Sequence, residues 1–246
     1  MAEVNNEIYS TLGNRWYTAQ DDPVALLRAE SRARNPWILK HIQSLGRAPE
    51  AVQVLDVGCG AGFCTGPLAK QGYAVTGLDF SASALEVARA NDSTGKIQYV
   101  EGDALKLPFA NRSFDVVISM DVLEHVAPVS KAVEEASRVL KPGGLFLYYT
   151  FNRNFFAWLI LIKGVEWVVR NTPAHLHVYK YLVKPKELAG YLRDSGMQVG
   201  EHMGLRPKLG KPFFRMLTSG VVPPDLEFKL TKSLWLGYLG RAEKPV

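Results

Sequence analysis

The residues of this 246-residue chain with the types and spacing to do chemistry begin at Asp56-Val57-Gly58-Cys59-Gly60-Ala61-Gly62. Glycines at the end of a strand let the backbone turn sharply and touch a ligand, so a nucleotide-like group is the natural occupant. A dinucleotide fingerprint would carry a further glycine at position 63, where Phe63 stands. Asp79 lies 21 positions after Gly58 and can accept both ribose hydroxyls, a feature shared by NAD and S-adenosylmethionine. Asp103 and Ala104, in Glu101-Gly102-Asp103-Ala104, are placed to meet an adenine amine, and Phe80 and Met120 flank these strand ends. Asp56 separates the two ligands, because a carboxylate beside the glycines repels a pyrophosphate and attracts a cationic amino-acid tail. The expected cofactor is S-adenosylmethionine, held by Asp56, Gly58, Gly60, Gly62, Asp79, Phe80, Asp103, Ala104 and Met120.

The acid-histidine turn Met120-Asp121-Val122-Leu123-Glu124-His125 follows. Positions i, i+3 and i+4 share one face of a helical turn, so Asp121, Glu124 and His125 could converge on one hard divalent cation and acidify a bound phenol. A turn that binds no metal fits the same residues, and both readings stay open. His125 and His177 are the candidates for taking a proton from the acceptor, because imidazole titrates nearest neutrality. His175, two residues earlier, is a weaker one.

These groups need elements to position them. Runs near 52–57, 73–79, 97–100, 114–120 and 145–149 read as strands, and 67–70, 83–91 and 131–140 as helices between them. That alternation predicts an α/β fold, Rossmann-like and doubly wound, with a mostly parallel sheet and helices on both faces. Residues 1–50 read as a helical lead-in outside the chemistry, broken near Asn35-Pro36. Residues 51–246 read as one cofactor-binding domain, interrupted by an apolar helical insertion or lid over 154–180. Within it, Phe155 to Ile162 is apolar throughout, far short of the ~20 residues that span a bilayer. Lys163, Glu166 and Arg170 are expected on one stripe of that helix.

Composition excludes disorder and a disulfide-built module, with 47% hydrophobic residues, 22% charged and 2 cysteines. The polar start, Met1 to Gly13, lacks a basic apolar leader, so a cytoplasmic location is the expectation. From Met203 onward eight basic residues face three acidic ones, which accounts for the whole net charge of +5. A nucleic-acid methylator would use such a tail, but the Asn/Asp-Pro-Pro-aromatic turn of base-amine chemistry is replaced by Met120-Asp121-Val122-Leu123, so no nucleic-acid partner is expected.

Val54 to Gly62, Gly77-Leu78-Asp79, Gly102-Asp103-Ala104 and Leu140-Lys141-Pro142-Gly143-Gly144 resemble the motif series of class I S-adenosylmethionine-dependent methyltransferases. The resemblance implies a seven-stranded sheet whose last two strands follow Met197. More narrowly, Leu123-Glu124-His125-Val126, Thr150-Phe151-Asn152-Arg153-Asn154, Trp158-Leu159, Val165-Glu166, His177 and Lys184-Pro185 are similar to the 3-demethylubiquinol O-methyltransferases. That family assigns magnesium to a Glu-x-x-Glu-His triplet, whose place is taken here by Asp121, Glu124 and His125, so Mg2+ is the implied second cofactor. An arginine that it sets after Asn-Pro is replaced by Ile38, with Arg32 and Arg34 as substitutes. The implied reaction is O-methylation of a phenolic or catechol, polyprenylated ubiquinone-type precursor. Residues 155–170 would then touch the inner membrane surface. Methylation of another lipid or small phenol, or a non-catalytic cofactor-binding subunit, are the alternatives; no oligomeric state is implied.

Overall fold

The structure, a computed structural model, describes residues 4–246. Three helices, α1 (Glu7–Thr11), α2 (Arg15–Thr18) and α3 (Val24–Gln43), precede the sheet. Strand β1 (Gln53–Val57) is buried from Val54 onward and ends in the glycine run. It is followed by α4 (Thr65–Lys70), β2 (Ala74–Asp79), α5 (Ala82–Asn91), β3 (Gln98–Glu101), β4 (Phe114–Met120), α6 (Val129–Val139) and β5 (Leu140–Phe151). The chain closes with β6 (Gln198–Pro207), β7 (Phe228–Thr231) and β8 (Gly237–Glu243).

The described residues form an eight-stranded sheet in the order β3-β2-β1-β4-β5-β8-β6-β7. The pairings among β1 to β5 are parallel, whereas β5 with β8, β8 with β6 and β6 with β7 are antiparallel. The expected seven strands thus become eight, and parallel pairing ends at β5. The additional strand covers the distal half of β6: Phe228 to Thr231 pair with Gly204 to Pro207, which would otherwise be an open edge. Strand order reverses between β1 and β4, which opens a crevice at the carboxyl ends of the strands.

Alternate residues of the central strands face opposite sides, as pleating requires. Val54, Val116, Ile118 and Leu147 pack with Trp37, Ile38 and Ile42 of α3. Leu55, Val117, Phe146 and Tyr148 pack with Val133 and Val139 of α6 and with Leu188 and Leu192 of the Pro185–Asp194 helix. The helix break expected at Asn35-Pro36 does not occur, since α3 runs unbroken for 20 residues with Pro36 inside. An interior proline costs about 3 kcal/mol. Burial of Trp37, Ile38 and Ile42 just beyond it, at about 1.5–3 kcal/mol for each large apolar side chain, offsets that cost. Asn35 also donates from Nδ2 to the Phe63 carbonyl at 2.8 Å, tying the helix to the glycine loop.

The insertion differs from a single helix. Residues 155–168 comprise Phe155–Ala157, a π-helical stretch Trp158–Gly164, and Val165–Val168. Lys163 and Glu166 share a face, their side chains meeting at 2.6 Å, but Arg170 lies beyond the last turn, so the stripe expected for Lys163, Glu166 and Arg170 stops at Glu166. Among the described residues no helix is long and apolar enough to cross a membrane.

Candidate active site

The glycine loop is built by backbone geometry that excludes side chains. Gly58, Gly60 and Gly62 have φ of 71°, 51° and 90°. A β-carbon on Gly58 would stand 2.2 Å from Val122 Cγ2, so the acid-histidine turn packs directly against this loop. Gly58 and Cys59 donate their N–H groups to the Leu78 carbonyl at 2.7 and 3.0 Å, which locks the loop to the end of β2. Asp79 completes the lock: its Oδ2 accepts from Gly60 N at 2.8 Å and its Oδ1 from Ser81 N at 2.9 Å.

Behind this loop lies a cavity of about 580 Å³. Asp56, Gly58, Gly60 and Asp79 line it, and so do Phe80, Asp103, Ala104 and Met120. Gly62 does not, because it turns back toward Thr65 and Tyr99 and shapes the entry to α4. Asp56 is 2% exposed, and its Oδ2 has no hydrogen-bond partner among the described residues. Burial, and then the nearby Asp79, push its carboxyl up to about 8. Asp79 is also raised by burial, against the opposing pull of the N–H groups it accepts. Two carboxylates facing one low-dielectric space favour a cationic occupant and disfavour a phosphate. Asp103 accepts from Leu105 N at 2.8 Å, which fixes its side chain at the third strand end, and the Phe80 ring, 80% exposed, is free to stack on a flat base. An orphaned buried carboxylate oxygen, a cradle without side chains and an open aromatic face fit S-adenosylmethionine.

The acid-histidine turn is not helical, and this changes which groups meet. Asp121 has φ of 58°, which swings its side chain away from the face that i, i+3 spacing implies. Its Oδ2 is held instead by Arg34 Nη1 at 2.6 Å, within a buried group that includes Glu30 at 3.6 Å and the Tyr149 ring 4.7 Å below the guanidinium. The groups that converge are Glu124, His125 and His177, whose ligand atoms lie within 4.8 Å of one another. The triplet Asp121, Glu124 and His125 expected for magnesium is therefore not assembled. Two imidazoles and one carboxylate also fit poorly with a cation that takes oxygen donors in octahedral geometry. His125 lines the cavity; His177 does not, its ring lying 5.2 Å from that of His125 and behind it. His175 is exposed. Glu124 is fully buried, accepts from Thr150 Oγ1 at 2.7 Å, and is raised to about 8 by burial and by Asp121. Burial alone lowers His125 to about 4, so its ring is neutral near pH 7.

The lead-in, read from sequence as outside the chemistry, supplies one wall of the cavity. Asn6, Tyr9, Trp16, Arg34 and Asn35 all line it. Tyr9 stacks on Trp16 at 5.7 Å, and burial beside Asp121, Glu124 and Asp79 holds its phenol far above its ordinary value. Arg34 had a signal in the displaced family arginine; the others had none, because residues about 20 to 50 positions before the loop carry no spacing that ties them to it.

With this geometry in view, residues 55–148 match the family described as a methyltransferase domain. The chain is 33% identical over 202 residues to the ubiquinone biosynthesis O-methyltransferase of Aromatoleum aromaticum, covering 80% of this chain and 83% of that one. The protein of that name from Klebsiella pneumoniae is 34% identical over 203 residues, with 80% and 81% covered. The chain belongs to this O-methyltransferase family. It is an S-adenosylmethionine-dependent methyltransferase. Among solved structures, magnesium protoporphyrin IX methyltransferase from Synechocystis PCC 6803, with bound SAH, superposes at a TM-score of 0.59 with 16% identity, covering 88% of the enzyme and 83% of that chain. An S-adenosylmethionine-dependent methyltransferase from Methanosarcina mazei gives 0.55 with 22% identity, covering 80% and 94%. At those identities the likeness concerns fold alone.

Proposed function

We propose that the enzyme methylates a phenolic or catechol oxygen on a polyprenylated, ubiquinone-type precursor. The observation that carries the reading is the orphaned, buried Asp56 Oδ2 in the wall of a cavity that His125 also lines. The names of the related enzymes support the acceptor class.

S-adenosylmethionine supplies a methyl group on a sulfonium, which leaves as a neutral thioether when an oxygen attacks in line. Asp79 takes the ribose hydroxyls, Asp103 the adenine amine, and Asp56 the charged amino-acid end. Phe80 stacks on the base, and Gly58 and Gly60 give the ligand access to the backbone. Positioning of this kind provides most of the rate in a displacement at carbon. His125, the imidazole in the cavity wall, is the group placed to take the phenolic proton as the oxygen-carbon bond forms. Glu124, close behind and raised to about 8, keeps its own proton near pH 7 and adds no negative charge beside the ring. The proton then leaves to solvent, and charge balances.

The insertion supports a membrane-surface role at the same acceptor. Phe155, Phe156, Ile160 and Trp167 are 62%, 49%, 47% and 72% exposed, and Trp235 stacks on Phe156 at 5.2 Å. Aromatic residues of this kind enter the headgroup region, where a polyprenyl tail would be anchored. The test of the acceptor is a panel of short-chain polyprenyl catechols, simple catechol and primary amines, each incubated with isotopically labelled cofactor and followed by product mass. Label on oxygen of the polyprenyl catechols, well above the simple phenol, is the expected result. Transfer to amines, or to none of the panel, contradicts it.

A further inference from the structure

Several polar side chains in the cavity wall already have partners. Arg34 holds Asp121, Asn35 donates to the Phe63 carbonyl, Ser31 Oγ donates to the Leu27 carbonyl at 2.8 Å, and Asp79 accepts from two backbone N–H groups. The hydroxyl of Tyr9, on α1, does not. Tyr9 lines the cavity and is only partly exposed, yet its hydroxyl makes no hydrogen bond among the described residues, and its oxygen is not sealed as Asp56 Oδ2 is. The charges that act on this phenol are Asp121, Glu124 and Asp79. Asp121 and Asp79 line the same cavity, so the hydroxyl end of the ring is directed inward. A tyrosine hydroxyl is protonated at neutral pH, and it can donate.

The ring stands where the two substrates meet. On one side it stacks at 5.7 Å on Trp16, whose Cη2 lies 3.1 Å from where a β-carbon on Gly60 would stand. On the other it meets the His125 ring edge to face, also at 5.7 Å. Tyr9 therefore lies between the glycine loop that receives the cofactor and the imidazole placed to take the acceptor's proton. Its backbone is anchored on both sides. Asn5 N donates to the His175 carbonyl at 2.9 Å, and Ser83 Oγ donates to the Ser10 carbonyl at 2.7 Å.

The attacking oxygen needs a lone pair aimed at the methyl carbon, and a hydrogen bond donated to it would lower its nucleophilicity. A second oxygen beside it on the aromatic ring carries no such constraint, and holding that oxygen fixes the rotation of the ring. We propose that Tyr9 is an acceptor-binding residue that selects acceptors with two vicinal oxygens: its hydroxyl donates to the oxygen beside the one that is methylated. This rests on the phenolic acceptor proposed above. An acceptor without the second oxygen leaves the donor unpaired, which is how a hydrogen-bonding site rejects an analogue.

The experiment uses the full chain, wild type and Tyr9→Phe, a change that removes the hydroxyl and keeps the ring packed on Trp16 and His125. Calorimetry on enzyme saturated with S-adenosylhomocysteine measures the affinity of a short-chain polyprenyl catechol and of the monophenol lacking one of its hydroxyls. Methyl transfer to the same two compounds is then followed with S-adenosylmethionine. Wild type is expected to bind the catechol about 10-fold more tightly than the monophenol, and Tyr9→Phe to reduce that preference to less than about 3-fold. Affinity for S-adenosylhomocysteine should change by less than about 2-fold, which a disturbed cavity wall would not allow. A preference retained in Tyr9→Phe, no preference in the wild type, no binding of either compound, or a loss that falls on S-adenosylhomocysteine overturns the inference. A catechol that binds with the expected preference but gains no methyl group overturns the proposed function instead, and the two affinities still decide the role of Tyr9.

Discussion

At the scale of single residues, Gly58 couples the cofactor loop to the acid-histidine turn. Two separate effects forbid a side chain there: a φ of 71°, and the approach of Val122 Cγ2 to 2.2 Å from where a β-carbon would lie. Gly58→Ala should therefore lose about 1–3 kcal/mol from backbone strain and a similar amount from overpacking. Val122→Ala in the same chain should recover the packing part and leave the strain, as read by denaturant unfolding. Gly58→Ala with wild-type stability would show that the loop and turn are not in contact. The loop was legible in the sequence because positive φ leaves a glycine signature. The partner of Asp121 was not, because i, i+3, i+4 spacing assumes a helix, and the turn at Asp121 is left-handed. A buried arginine from α3 takes that carboxylate, and such a long-range pair leaves no local trace.

At the scale of elements, the strands and the helices between them were readable from their periodicity, with ends displaced by a few residues. Two elements departed from expectation for physical reasons. Tertiary burial of Trp37, Ile38 and Ile42 carried α3 through Pro36, and the insertion passes through a π-helical stretch and ends at Val168, short of Arg170. The second departure bears on membrane contact. Lys163 Nζ is engaged by Glu166 Oε2 at 2.6 Å, which leaves the aromatic residues to carry the proposed contact. Trp167→Glu and Phe156→Glu should each reduce co-sedimentation with anionic vesicles by several-fold, while Trp158→Glu, at a partly buried site, should act mainly on stability. Wild type that stays in the supernatant, or variants that sediment as well as wild type, would remove the membrane reading.

At the scale of the molecule, the reversal of strand order between β1 and β4 gathers Asp56, Asp79 and Asp103 at one end of the sheet, and the N-terminal helices close the space above them. The carboxylate half of this arrangement followed from strand ends in order. The N-terminal wall did not, because packing across the sheet sets it. Asp56 gives the assembled site a pH signature. Its carboxyl, near 8 without ligand, must ionise to meet a cationic tail, so binding below that value releases a proton and affinity grows as pH rises toward it. Titration calorimetry of the purified enzyme with S-adenosylmethionine, from about pH 6 to about pH 8, measures this directly. Binding that tightens with pH in the wild type, and that is weak and pH-independent in Asp56→Asn, is the predicted result. Heat from nicotinamide coenzymes but none from S-adenosylmethionine, or Asp56→Asn binding like the wild type, would contradict it.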